Sequence, residues 1–510
     1  MHPKRFDLAV IGSGFAGSLL AMIARRLGLS VVLLEKGSHP RIVIGESSTP
    51  LANLLLEELV DRYDLPQLRP FCKWGSWQNA YPEVACGLKR GFTFYHHDLD
   101  RAASPLHDHE RQLLVAASPT DEIADTHWYR ADVDAHFVAA AIECGVAFLD
   151  HVQLNPPEFD RDVARLSGHR SGEPVAIEVD FLVDASGPRG FLYNSLRLAE
   201  RDLPGYPSTR ALYSHFRGVE RIGGDDDAPY PVDDAAVHHV FDGGWIWVLR
   251  FNNGVTSAGV AAKQETAEKF GLSQGAPAWH RLIAAIPDLQ HQFAHAQPLY
   301  DFRYIPKVSF RSGQITGERW ALLPSAAGFV DPLLSTGFPL TLFGIERLAH
   351  LIETGNLHDP AALSKYTEET DQDLLATAHL TAALYSSIND FQTFTARTMI
   401  YFAAASYSES ARRLGNAHLA PGFLLRKHPT FGQRMRDLAE APAHANLAQE
   451  VQEGIHPFNV AGLSNPARRN WYPALAEDLI ASAAKLGAME DEVLAMLKRC
   501  GFNAPSPVLQ

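Results

Sequence analysis

FDLAVIGSGFAG, residues 6–17, is the stretch that decides the fold. An apolar run closes on Gly12, the pattern GxGxxG occupies Gly12, Gly14 and Gly17, and Phe15 to Leu27 reads as a helix. SVVLLEK (30–36) is a second apolar, β-branched strand, and it ends on Glu35, eighteen residues beyond Gly17. GxGxxG alone arises by chance. Between a strand and a helix, with an acidic residue at this distance, it is the fingerprint of a dinucleotide-binding βαβ unit. Each part has a physical task. Gly12 permits the tight turn, Gly14 lets backbone approach a pyrophosphate, and Gly17 lets helix and strand pack closely. The helix start offers N–H groups and partial positive charge to phosphate. Glu35 accepts from ribose hydroxyls, and its charge disfavours a 2′-phosphate.

Further along, FLVDASG (181–187) runs an apolar strand into the small residues that follow Asp184. WALLPSAAGFVDPLLSTGF (320–338) does the same, passing Asp331 before Thr336 and Gly337 open another helix. Segments of this kind at the start, middle and two-thirds point resemble the glutathione-reductase-type FAD fold. The expected class is therefore α/β: a Rossmann-like FAD-binding region over 1–350, carrying inserted substrate-binding segments at about 66–128 and 201–300, then a helical region over 351–510. TPLANLLLEELVDRYDL (49–65) reads as a helix with Thr49 as N-cap and Pro50 at its first position. No second GxGxxG exists, so no NAD(P)H domain is expected, and a separate flavin reductase must supply FADH2.

Bulk composition agrees with an ordinary globular protein: of 510 residues 46% are hydrophobic and 20% charged. The net charge of −14 argues against nucleic acid or an anionic membrane as partner. Cys72, Cys86, Cys144 and Cys500 form no CxxC pair, which speaks against thiolate zinc and fits a cytoplasmic location. The apolar run after Lys4 and Arg5 is broken by spaced glycines and reads as fold, not as a signal peptide. No metal is expected. The paired histidines His96–His97 and His238–His239 lack ligand spacing and read as loop residues, with His96 or His97 as an alternative base near the substrate.

Four segments resemble the flavin-dependent halogenases, and in particular the members that halogenate phenols. HPRIVIGESSTP (39–50) is similar to a family segment in which Arg41 and Glu46 lie near the ADP and flavin. CGLKRGFTF (86–94) is similar to the segment that carries the essential lysine, here Lys89. GWIWVL (244–249) matches most of the WxWxIP signature, and GFVDPLLSTG (328–337) is similar to the flavin-end loop. The resemblance implies that reduced FAD, O2 and chloride or bromide give hypohalous acid, which travels through the interior to Lys89. It also implies halide at the backbone N–H groups of Thr336 and Gly337, and a small aromatic substrate, either free or on a carrier. Read as one strand, 86–94 puts Lys89, Gly91 and Thr93 on one face, with Gly87 and Gly91 leaving room around the amine.

Two departures stand out. The signature's Ile-Pro is Leu249-Arg250, and the glutamate that tryptophan halogenases carry before Ser-Thr-Gly is Leu334. The second points to a phenol rather than an indole. Trp245 and Trp247 share a strand face, where they either pack the core or wall off the tunnel. The competing readings are a flavin monooxygenase or oxidase on the same fold, and a non-catalytic flavin-binding protein.

Overall fold

Strand β1 (Lys4–Ile11), helix α1 (Phe15–Arg26) and strand β2 (Val31–Leu34) form the expected βαβ unit in the computed structural model, which describes residues 4–101, 109–223 and 227–502. β1 runs parallel to β2, Leu8 opposite Val31, and parallel on its other side to strand Glu173–Asp184, Leu8 opposite Phe181. Strand Trp320–Leu322 continues the same parallel set. The three segments singled out in the sequence thus lie side by side, and their carboxyl ends share the sheet edge where such folds bind ligands. Leu8, Ala9 and Val10 are completely buried, as continuous apolar strands covered on both faces should be.

Beyond the βαβ unit, helix α2 (Pro50–Arg62) is capped as expected, Thr49 Oγ1 accepting from Ala52 N at 3.3 Å. Helix α3 (Trp74–Ala80) leads to strand β3 (Cys86–Lys89), and strands β4 (Gly91–His97) and β5 (Gln112–Ala116) follow. Strand β6 (Asp125–Trp128) pairs antiparallel with β3 in a separate ribbon of its own. Helix α4 (Arg130–Glu143) then returns to the first sheet and packs beside α1.

β4 and β5 join strands Thr209–Arg217, Ala236–Phe241, Gly244–Arg250 and Thr256–Lys263 in a second, nine-stranded sheet. The two inserted segments therefore build one sheet together. Residues 86–94 are not one strand. β3 ends at Lys89, Arg90 N donates to Asp234 O at 2.7 Å, and the chain re-enters a different sheet at Gly91. The Arg90 side chain anchors this break on Asp121 at 2.7 Å and on the Pro119 carbonyl at 2.6 Å. The paired histidines are likewise not loop residues. His96 and His97 lie on β4, His238 and His239 on Ala236–Phe241, and all but His96 are buried.

Long helices follow, Gly337–Glu353, Pro360–Ser386 and Phe391–Arg413, with Glu490–Cys500 near the end. One apolar core runs through the first sheet and into the first three of these helices, while Glu490–Cys500 packs in a smaller cluster of its own. No helix among the described residues is long and apolar enough to cross a membrane.

Candidate active site

At the end of β1 Gly12 has φ 96°, and a Cβ there would lie 2.7 Å from the Ala185 carbonyl. A Cβ at Gly17 would fall 2.0 Å from Gly12 O, so α1 can approach the turn only without one. Gly14 differs in kind. A Cβ there would meet Arg130 Nη2 at 3.2 Å and Arg41 Nη2 at 3.5 Å, two guanidiniums converging on the helix start. Asp134 holds them in place: it accepts from Arg130 Nε at 2.9 Å and from Phe15 N at 3.0 Å, and lies 3.8 Å from Arg41. Arg41 Nε is buried and has no partner. Glu35 accepts from Ser13 N at 3.1 Å and Gly37 N at 3.1 Å. Burial opposes its ionisation, but Arg41 and these N–H groups together hold the carboxyl below its ordinary value. A glycine floor, two guanidiniums and an anchored carboxylate suit the diphosphate and ribose of FAD. Arg130 and Asp134 escape sequence reading because they arrive on α4, more than a hundred residues after the glycines.

The other expected cofactor residues divide. Asp184 is fully buried and turns inward, accepting from Ser186 N at 2.8 Å and Leu192 N at 2.6 Å, so it shapes the turn that faces Gly12. Asp331 accepts from Tyr206 at 2.6 Å, Tyr385 at 3.0 Å and Leu333 N at 2.9 Å. Burial pushes its carboxyl up to about 6, against these hydrogen bonds. Trp245 donates to Tyr385 at 3.1 Å and lies 5.8 Å from Trp247, which ties the signature strand to the flavin-end loop. Ser335 takes a left-handed φ of 53° just before Thr336 and Gly337 start the long helix, and Gly337 faces open space. Arg250, in place of the signature proline, pairs with Asp233 and donates to Val219 O at 2.8 Å.

Glu46 is buried against His215 at 2.7 Å, and its carbonyl accepts from Trp128 N at 2.6 Å. Ser48 N donates to Thr126 O at 3.1 Å, so the segment after Glu46 runs along β6. That segment receives Lys89, whose amine is 0% exposed and donates to Ser47 Oγ at 2.9 Å and to Ser48 O. The amine also lies 3.9 Å from the centre of the Phe92 ring. Asp125 is the cross-strand partner of Lys89. Burial drives the lysine towards its neutral amine, and the Asp125 charge opposes that. His127 and His238 feel the Lys89 charge, and burial, then that charge, bring both down to about 3, so they are neutral at pH 7. Gly87 and Gly91 do not make room for the amine. A Cβ at Gly87 would strike Arg250 O at 1.9 Å and one at Gly91 would strike Val115 O at 2.3 Å, so both permit backbone contacts. Ser47, Ser48, Asp125 and His127 left no signal in the sequence, since only strand pairing brings them to Lys89.

Known proteins resemble this chain in sequence and in fold. Residues 124–393 match the family described as tryptophan halogenase, and residues 10–48 match the NAD(P)-binding Rossmann-like domain. The chain is 29% identical to monodechloroaminopyrrolnitrin halogenase of Pseudomonas fluorescens over 407 residues, 77% of this chain and 70% of that one. It is 28% identical to tetracycline 7-halogenase of Kitasatospora aureofaciens over 389 residues, 73% and 68% of the two chains. Its fold is similar to that of the halogenase PltM in complex with phloroglucinol and FAD, at TM-score 0.73 and 21% identity, covering 94% of this chain and 96% of that one. The chain belongs to the tryptophan halogenase family and is a flavin-dependent halogenase, an enzyme that uses FAD and halide.

Proposed function

We propose that this halogenase acts on a phenol and that Lys89 delivers the halogen. The observation that carries the proposal is the Lys89 amine itself, wholly enclosed between the Ser47–Ser48 segment and the Phe92 ring. Ammonium groups are almost never left so without a task. Bound FADH2 supplies the reducing electrons that, with O2 and halide, generate hypohalous acid. The residues of this chain do the rest. Gly12, Gly14, Gly17, Glu35 and Arg41 hold the ADP half, Asp184 sets the turn against Gly12, and Glu46 and Asp331 shape the ground between the cofactor and the lysine. Thr336 and Gly337 offer N–H groups to halide at a helix start. The Lys89 amine, kept towards neutrality by burial, captures the halogen and presents it to the ring. Leu334, where a glutamate assists attack on indole, supports a ring that activates itself, and phloroglucinol, the ligand of PltM, is a phenol. FADH2 comes from a separate reductase. Residues 1–350 generate the oxidant and the helices after them close the substrate side. Four unpaired cysteines support a cytoplasmic setting.

The test supplies FADH2, O2 and bromide with a panel of phenols and with tryptophan, and reads product masses. Bromine should appear on phenols and not on tryptophan, and NADPH alone should leave the bound flavin oxidised. Efficient bromination of tryptophan with phenols inert would overturn the substrate class. Oxygen in place of bromine would overturn the reaction.

A further inference from the structure

Next to Lys89's neighbours Phe92 and Asp125 lies a cavity of about 150 Å³, lined by Asn53, Phe92 and Asp125 and by Tyr401, Ser406 and Glu409 of helix Phe391–Arg413. Most charged groups in its wall are spoken for. Glu409 pairs with Arg413 at 2.6 Å, Arg413 reaches Glu57 at 3.1 Å, and Lys73 donates to the Cys500 carbonyl at 2.9 Å. Asp125 is the exception. Its Oδ1 accepts from Asn53 Nδ2 at 2.7 Å, but its Oδ2 is buried and accepts no hydrogen bond. Asp125 is only 4% exposed, and a buried carboxylate oxygen left without a donor costs free energy unless something fills the place. Asn53 is itself fixed, since its Oδ1 accepts from Ser48 Oγ at 2.5 Å. The carboxylate is therefore held in the cavity wall with one oxygen buried and without a hydrogen-bond donor, one strand across from Lys89.

We propose that Asp125 is a catalytic residue that receives the substrate: Oδ2 accepts the hydrogen bond of a phenolic O–H and takes that proton as the ring is halogenated. The inference rests on the halogenase reading of Lys89. When the Lys89 amine captures the halogen, the oxygen of hypohalous acid leaves as water with one amine proton. A ring carbon beside or opposite the hydroxyl then forms its bond to halogen as the halogen–nitrogen bond at Lys89 breaks, while the O–H proton passes to Asp125. The departing Lys89 nitrogen takes the proton of the halogenated carbon and is again a neutral amine, and Asp125 returns its proton to the phenol oxygen. Burial raises the Asp125 carboxyl above the usual carboxylate range, against the pull of Lys89, which brings its basicity closer to that of a phenolate.

The test has two arms. In the first, wild-type enzyme brominates 4-methylphenol and its methyl ether in competition, and free hypobromous acid brominates the same mixture in parallel. The enzyme should favour the phenol about 10- to 100-fold more strongly than the free acid does, the size expected of a hydrogen bond to a charged acceptor. In Asp125→Asn that excess should vanish. An unchanged excess in Asp125→Asn overturns the proposal, and so does a wild-type ratio equal to that of free hypobromous acid, which needs no variant to fold. In the second arm, binding of 4-nitrophenol to the resting FAD-loaded protein should weaken about 10-fold or more in Asp125→Asn, with FAD affinity as the control for folding. Wild-type protein that halogenates nothing overturns the Lys89 reading, whereas 4-nitrophenol binding indifferent to Asp125→Asn removes the Asp125 site.

Discussion

Replacing Lys89 by methionine keeps an unbranched stem of similar length and deletes the ammonium. Two donations disappear, to Ser47 Oγ and to Ser48 O, together with the contact 3.9 Å above the Phe92 ring. Hydrogen bonds from a charged donor contribute roughly 1.5–3 kcal/mol each, and Asp125 loses the Lys89 charge that favours its ionised form. Opposing this, the buried ammonium no longer has to be desolvated, and Asp125 can take up a proton. A net loss of about 2–4 kcal/mol of folding stability is expected, part of which Lys89→Met combined with Asp125→Asn should recover. The catalytic loss is larger. Without an amine to capture the halogen, halogenated product should fall about 1,000-fold, equivalent to about 4 kcal/mol on the barrier. Lys89→Arg should fail as well, because a guanidinium stays charged. The assay counts halogenated phenol per FADH2 consumed and follows flavin absorbance in the same reaction. FADH2 oxidation should continue in Lys89→Met. Halogenation at near wild-type yield would refute the role of the amine. Loss of FADH2 oxidation together with halogenation would refute it too, because Lys89 would then be acting on the flavin side.

Two further outcomes follow from the cofactor side. Gly14→Glu puts a carboxylate between Arg41 and Arg130, where the diphosphate belongs, and FAD affinity measured by fluorescence titration should fall at least 100-fold; undiminished affinity would sink the cradle. Asp331 has its carboxyl raised from 3.8 to about 6, so its stabilising contribution is complete below the unfolded value and is lost as pH rises through the folded one. Between pH 4.5 and 7.5 the wild type should therefore lose about 2 kcal/mol of stability relative to Asp331→Asn, read by urea unfolding, and a difference independent of pH would contradict it.

How far the sequence could be read depended on distance along the chain. Gly12, Gly14, Gly17 and Glu35 belong to one local unit whose spacing encodes its geometry, and Thr49 and Pro50 declare the start of α2 in the same way. Arg130 and Asp134 complete that cradle from α4 and have no local mark. Lys89 is visible only through resemblance to a known segment. Its partners Ser47, Ser48 and Asp125 lie on other elements, brought together by the pairing of β3 with β6. The strand 86–94 misleads for a specific reason: CGLKRGFTF has nothing in it to mark a break, and the break at Arg90 is set by Asp121 and the Pro119 carbonyl about thirty residues away. The histidines mislead because a pair of polar rings looks solvated until a second strand covers it. His97 and His239 then bond each other at 2.9 Å.

The cavity beside Lys89 has walls of two origins. Asn53 and Asp125 come from α2 and β6, while Tyr401, Ser406 and Glu409 come from a helix nearly three hundred residues later. Substitutions on that helix can reshape the receptacle without touching the glycine floor, the paired guanidiniums or the lysine. On the proposed reading, the groups that hold the cofactor and the amine lie on early elements, as does Asp125, while the facing wall of the receptacle lies on a late helix. A laboratory seeking altered substrate scope would do well to randomise positions 401, 406 and 409 and leave the rest alone.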